Sequence, residues 1–137
     1  MQLRIVTPTG EVLNTEIDQL TASGLLGEFG VLPGHIPFMS ALKIGPASYK
    51  DKGLLIHYAL GEGFAEVYSD QVTLFVETAE ASDSIDVSRA QQALARAEKR
   101  LTEFKGNLDS ADPKLVRAQK AHSRAQSRIF VAKQKSN

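Results

Sequence analysis

An acid and a base stand three residues apart in the stretch IDVSRA, where Asp86 and Arg89 flank two small or apolar positions. On a helix that spacing puts both side chains on one face. Two chemistries use such a pair. Asp86 can cap the first turn of a helix, with Arg89 as its i,i+3 ion partner. The pair can also serve a ligand: guanidiniums chelate phosphates through forked, charge-assisted hydrogen bonds, and carboxylates accept from an amino group or ribose hydroxyls. More cations follow. Residues 85–137 carry 12 Lys/Arg against 5 Asp/Glu, a balance of +7, whereas residues 1–84 carry 4 against 11, a balance of −7. From Pro113 onward there are seven basic residues and no acid. Such a segment meets an acidic partner, a nucleotide or a nucleic acid, or it is a solvated helix face.

Several chemistries find no residues here. There is no cysteine, which leaves neither a disulfide framework nor a thiolate metal site. His35, His57 and His122 lack ligand-like spacing. No paired carboxylates, nucleophile triad or metal cluster is evident, and without a Gly-rich phosphate loop a nucleotide would be held rather than hydrolysed. The opening MQLRIVTPTG lacks a basic region followed by an apolar one, and no apolar run is long enough to cross a bilayer. The expectation is a soluble, non-catalytic protein that stays where it is made.

The elements that must position Asp86 and Arg89 change character at this point. As far as Glu80 the chain alternates with a period of two: Leu3 and Ile5 share one face, as do Val72, Leu74 and Val76, with Thr73 and Phe75 opposite. Turn chemistry recurs at TPTG (7–10), SGLLGEFG (23–30), LPGH (32–35), IGPA (44–47), KDKG (50–53), GEG (61–63) and SDQ (69–71). Gly61 and Gly63 read either as a turn or as a bulge in one continuing strand. Short strands with frequent turns predict a sandwich or barrel. Residues 27–45 are the most heavily punctuated, and Pro37 bars a central strand, so they read as a long loop with an edge strand.

From Ile85 the period becomes helical. Val87, Ala90, Leu94, Ala97, Leu101 and Phe104 form one stripe, and Leu115, Ala118, His122, Ala125, Ile129 and Ala132 a second. Gly106 and Asn107 read as a stop, Asp112 as an N-cap and Pro113 as the first helical residue. The reading is an N-terminal β-sandwich (1–84) followed by a C-terminal antiparallel two-helix hairpin (85–137). Its seam is rich in alanine and contains His122, so it buries little apolar area, while Ala, Arg, Lys, Gln and Glu favour each helix locally. The hairpin is therefore expected to open while its helices persist. The second helix, about 20 residues at about 1.5 Å each, would then reach about 30 Å.

This order of parts, together with GEFGVLPGHIPFMSALKIG (27–45), resembles the epsilon subunit family of bacterial and chloroplast-type F-type ATP synthases. GEGFAEV (61–67) and ETAE (77–80) are similar to the segments that follow in that family. The resemblance implies a non-catalytic rotor subunit that joins the gamma subunit to the c ring. It places Glu28, Phe29, Gly34 and His35 in the docking region, with Glu28 toward the c ring and His35 near gamma. IDVSRA resembles the motif of epsilon subunits that bind ATP as a regulatory ligand. By that likeness Asp86 and Arg89 are the motif's acid and base, Glu80 an upstream acid, Arg96 a second arginine, and Arg124 and Arg128 the arginine pair on the second helix. The resemblance also implies that Arg117, Lys120, Arg124 and Arg128 meet acidic segments of the alpha and beta catalytic subunits and block ATP hydrolysis when the hairpin opens. It implies no catalytic cofactor, no metal and no nucleic-acid partner, and a peripheral place on the cytoplasmic face of a bacterial inner membrane or on a thylakoid membrane. A basic helical hairpin that binds nucleic acid, or an adaptor, is the competing reading of the charge pattern.

Overall fold

Alternation and turns build ten strands in the computed structural model, which describes residues 1–104 and 112–134. In chain order they are β1 (Gln2–Thr7), β2 (Gly10–Glu16), β3 (Gln19–Gly24), β4 (Gly27–Val31), β5 (Phe38–Leu42), β6 (Gly45–Asp51), β7 (Leu54–Leu60), β8 (Gly63–Tyr68), β9 (Gln71–Val76) and β10 (Ala79–Ala81). A 3₁₀ turn, Ser82–Ser84, leads to α1 (Val87–Glu103) and then α2 (Pro113–Ala132). Hydrogen bonding runs β10-β7-β6-β3-β5-β8-β9-β1-β2, with β4 on β3. The path narrows to one residue pair, Gly24 with Leu42, between β3 and β5. There the sheet folds on itself, and two layers face each other across the core.

That core holds the side chains that the two-residue period assigned to it. Leu3, Ile5, Val72 and Leu74 are fully buried, with Leu20, Ala22, Val31, Ala65 and Val67 from the other strands around them. Thr73, expected on the opposite face, is also buried, on a strand flanked by β1 and β8. Most turns lie where the sequence puts them. The SDQ turn is a two-residue hairpin in which Ser69 and Asp70 both take positive φ (49° and 61°), the mirror-image turn that matches strand twist. IGPA is a correction: Gly45 to Ala47 open strand β6, and the chain bends at Lys43 and Ile44 instead. Pro46 is tolerated near the start of the strand, and its carbonyl accepts from Ser23 Oγ at 2.7 Å. Gly61 to Gly63 form a turn between β7 and β8 rather than a bulge in one strand. In 27–45 the expected long loop contains two strands, β4 and β5, joined by residues 32–37, and Pro37 sits just ahead of β5.

Both helices start on the residues read as their caps. Asp86 Oδ1 accepts from the Arg89 backbone N–H at 3.1 Å, and Asp112 Oδ1 accepts from the Lys114 N–H at 2.9 Å, with Pro113 in the first turn. Gly106 and Asn107, read as the stop between helices, lie outside the described residues. Ile85, just before α1, and Val131, near the end of α2, are buried in the same small cluster. The helices therefore run antiparallel. Their seam is thin: Ala90, Ala97, Leu115, Ala118 and Ala125 are buried, but Leu94, Leu101, His122, Ile129 and Ala132 are only half-buried and Val87 is exposed. The deepest residues of the last two turns of α2 are Ser127 and Val131, off the expected stripe. The reason is that α2 has two neighbours. It packs on α1 and also lies on β6, β7 and the 3₁₀ turn.

Candidate functional site

The basic helix meets the acidic sandwich along one side of α2. Arg128 Nη2 donates to Glu80 Oε2 at 3.2 Å, and Arg128 Nε lies 3.0 Å from Glu80 Oε1. The Nε contact is coulombic only: that N–H is not aligned with the carboxylate and remains a buried donor without a hydrogen bond. One residue earlier, Ser127 Oγ is likewise buried without a partner. Eight residues before Arg128, Lys120 Nζ lies 3.0 Å from Glu62 Oε1. The two pairs differ in shielding. The Arg128 and Glu80 side chains are 27% and 35% exposed, and those of Lys120 and Glu62 44% and 47%. The first pair is thus less screened by water and salt. Beyond both pairs, three residues past Arg128, Val131 is fully buried against Ala59 and Ile85.

Of the six residues assigned to a nucleotide, the structure gathers three. Glu80, Arg124 and Arg128 line one cleft with Thr78, Leu60 and Ser127, and its free volume is about 20 Å³. That is room for about one water molecule and not for a triphosphate. Asp86 is spent on its cap, with its carboxylate on a backbone N–H. Arg89 and Arg96 are exposed on α1. The contact between His122 Nε2 and Glu98 Oε1, 3.9 Å, fixes the register of the helices, and by the helical rise it sets Arg96 at about the level of Arg124. A phosphate held by Arg96, Arg124 and Arg128 together would have to share the Arg128 guanidinium with Glu80 or take it over. Arg117, the remaining cation expected to meet the catalytic subunits, is exposed at the far end of α2, beside a cavity of about 410 Å³ shared with Arg100, Glu103, Phe104 and Lys114.

The four residues expected to dock lie along β4 and the loop that follows it. Glu28 is exposed on β4 opposite Ser23 and borders the grooves on either side of Phe130. Phe29 is half-buried, its ring 5.3 Å from that of Phe38. Gly34 takes φ +82°, a left-handed value that suits glycine, and its N–H donates to Asp70 Oδ1 at 3.4 Å. The His35 N–H donates to the Leu32 carbonyl at 3.1 Å. The His35 ring stands edge-on to Phe38 at 5.6 Å, and its Nδ1 donates to the Ile36 carbonyl at 2.7 Å, which fixes the proton on that nitrogen in the neutral ring. Sequence reasoning missed the most exposed apolar residues of this region. Leu25 and Leu26, at the tip of the β3–β4 turn, are 65% and 101% exposed, and Leu32, Ile36 and Met39 are also open to solvent. Two leucines between glycines were read only as turn punctuation. Glu62 was missed as well, since no local signal links it to Lys120, 58 residues later.

Comparison with known proteins is consistent over both parts of the chain. Residues 1–82 match the family described as ATP synthase, Delta/Epsilon chain, beta-sandwich domain, and residues 83–133 the one described as its long alpha-helix domain. The chain is 48% identical over 132 residues to the ATP synthase epsilon chain of Geotalea daltonii, covering 96% of this chain and 93% of that one. It is 47% identical over 131 residues to the epsilon chain of Nitratidesulfovibrio vulgaris, covering 96% and 94%. In fold it is similar to a chain of the Euglena gracilis mitochondrial ATP synthase, OSCP/F1/c-ring, with a TM-score of 0.76 at 22% identity, over 91% of this chain and 76% of that chain.

Proposed function

The chain belongs to the ATP synthase delta/epsilon family, and from that premise we propose that it is a non-catalytic rotor subunit whose sandwich, residues 1–84, docks on a gamma subunit and a c ring. The observation that carries this reading is the exposed apolar surface on either side of β4: Leu26, fully exposed at the β3–β4 tip two residues before Glu28, and Leu32 and Ile36 in the loop that carries the His35–Phe38–Phe29 aromatic cluster. A polar rim around exposed apolar side chains, on a turn braced by a rigid sandwich, suits a protein partner. In this reading Leu25, Leu26 and Glu28 face the c ring and His35 lies toward gamma. The subunit is peripheral to the membrane through that complex, on the cytoplasmic face of a bacterial inner membrane or on a thylakoid membrane. No helix among the described residues is long and apolar enough to cross a bilayer. Affinity capture from native membranes tests this directly. Recovery of gamma and c subunits is expected, and their absence from the captured material would refute it.

The hairpin, residues 85–137, is the regulatory part. When it leaves the sandwich, Arg117, Lys120, Arg124 and Arg128 meet acidic segments of the alpha and beta subunits and slow ATP hydrolysis. ATP is the regulatory ligand, held by Arg89, Arg96, Arg124 and Arg128 with Asp86 and Glu80 as acceptors. Such a ligand shifts the balance only by its differential affinity for the closed form. The exposed guanidiniums of Arg89 and Arg96 on α1, with Arg96 at about the level of Arg124 on α2, support this reading. Titration of the isolated subunit with ATP, read by calorimetry, is expected to saturate at millimolar concentration or below. No heat of binding in that range would remove the ligand and leave the inhibitory role standing.

A further inference from the structure

We propose that Glu62 and Glu80 form a two-point electrostatic clasp that holds α2 on the sandwich in the absence of any nucleotide. The clasp does not rest on the ATP reading. It follows from where the contacts lie. The hairpin touches the sandwich mainly through α2, and α1 rides on α2. The apolar part of that contact lies in the last turn of α2: the fully buried Val131 with Ala59, Ile85 and the half-buried Ala132, and the half-exposed Phe130 beside Pro46 and Ala47. An apolar contact confined to the end of a helix of 20 residues is a pivot. It seats the end and leaves the rest free to swing. The two ion pairs remove that freedom. Lys120 and Arg128 are eight residues apart, about 12 Å along the helix axis, so two fixed points define the direction of α2.

The partners come from different elements: Glu62 from the β7–β8 turn, and Glu80 from β10, which pairs with β7. Their separation is therefore set by the sheet and not by the helix. The Glu80 point has a further property. Arg128 Nε is buried with no aligned acceptor, so the docked guanidinium depends on the Glu80 carboxylate for compensation. Without Glu80, docking would bury a cation without a counter-ion, which is costly. The clasp also sets a competition. Any phosphate that is to reach Arg128 meets a guanidinium whose Nε and Nη2 are already turned to a carboxylate.

The test uses the full chain without nucleotide. Because the chain has no cysteine, single cysteines replacing the exposed Lys50 and Gln119 carry a fluorophore pair that reports the undocked-to-docked ratio. Each of Glu62→Gln and Glu80→Gln is expected to raise that ratio about two- to fivefold, and the double variant about five- to twentyfold. Raising salt from about 20 mM to about 500 mM should undock the wild type and barely move the double variant. The charge exchange E80R/R128E should return the ratio toward wild type. Repeating the series on a Val131→Ala background keeps the ratio measurable if wild-type docking is too tight to read. A double variant that matches the wild type at both salt concentrations on both backgrounds overturns the proposal. So does a charge exchange that behaves like Glu80→Gln alone.

Discussion

Val131→Ala asks how much of the docked state one side chain holds. Val131 is fully buried, and its cluster consists of Ala59 and Ile85, with Ala132 at its edge. Truncation to alanine removes two carbons from an apolar site, about 1.6 kcal/mol at about 0.8 kcal/mol each. A residual cavity of about 50 Å³ adds about 1.2 kcal/mol at about 24 cal/mol per Å³. Partial relaxation brings the total to about 2–3 kcal/mol. Half-exposed ion pairs contribute about 0–1 kcal/mol each, so Val131 outweighs Lys120–Glu62 and Arg128–Glu80 together. A cost of about 2–3 kcal/mol multiplies the undocked-to-docked ratio by about 30- to 150-fold. The sandwich core of Leu3, Ile5, Leu20 and Leu74 is a separate cluster, and the variant leaves it intact. Spin labels on α2 and β6 should therefore report a broadened distance distribution, while the urea midpoint followed by strand signals stays put. An unchanged distance distribution with a lower urea midpoint would refute the reasoning, since it would make helices and sandwich one cooperative unit.

Gly63→Ala should break the sandwich. An added Cβ would lie 1.8 Å from the Phe75 carbonyl oxygen and 2.8 Å from Val76 Cα. These are backbone atoms that cannot rotate away, so a loss above about 4 kcal/mol is expected in urea denaturation. Leu26→Asp should leave the urea midpoint within about 0.5 kcal/mol of wild type, because the side chain is fully exposed, and should still abolish recovery of c subunits in capture experiments. Asp86→Asn keeps a good N-cap and removes the charge, so helix content by circular dichroism should hold. Asp86→Ala, which loses the bond to the Arg89 N–H, should cost about 1 kcal/mol. Burial lowers the pKa of His57 below its usual value of 6.5, so the unfolded chain binds the proton more readily. The stability this group contributes is complete above about pH 6.5 and falls as pH drops toward its lower folded value. Urea midpoints measured from pH 7.5 down to pH 5 should decline less steeply in His57→Asn.

Local signals made much of this fold legible. The change of period at Ile85, the caps at Asp86 and Asp112, and the alternation at Leu3–Ile5 and Val72–Val76 are each written in a few neighbouring residues. What stayed hidden depends on elements far apart in the chain. The stripe on α2 was read as though α1 were its only partner, which put Ile129 and Ala132 inside. The sheet beneath the last two turns selects Ser127 and Val131 instead. Glu80 and Arg128 were read as two ligands of one nucleotide, and nothing in the spacing of 48 residues indicated that they would meet each other. The IGPA turn failed for a different reason. A Gly-Pro pair is a turn signal by default, but proline's fixed φ also fits the opening of a strand.

The apolar grip on the sandwich lies at the very end of α2. A chain cut just ahead of Val131 would keep α1, most of α2 and all of its arginines, yet lose the foothold that seats them. Trimming of this kind would turn a conditional arm into one that is always loose, so the last turn of α2 is where a protease, or a premature stop codon, would have the greatest effect for the fewest residues removed.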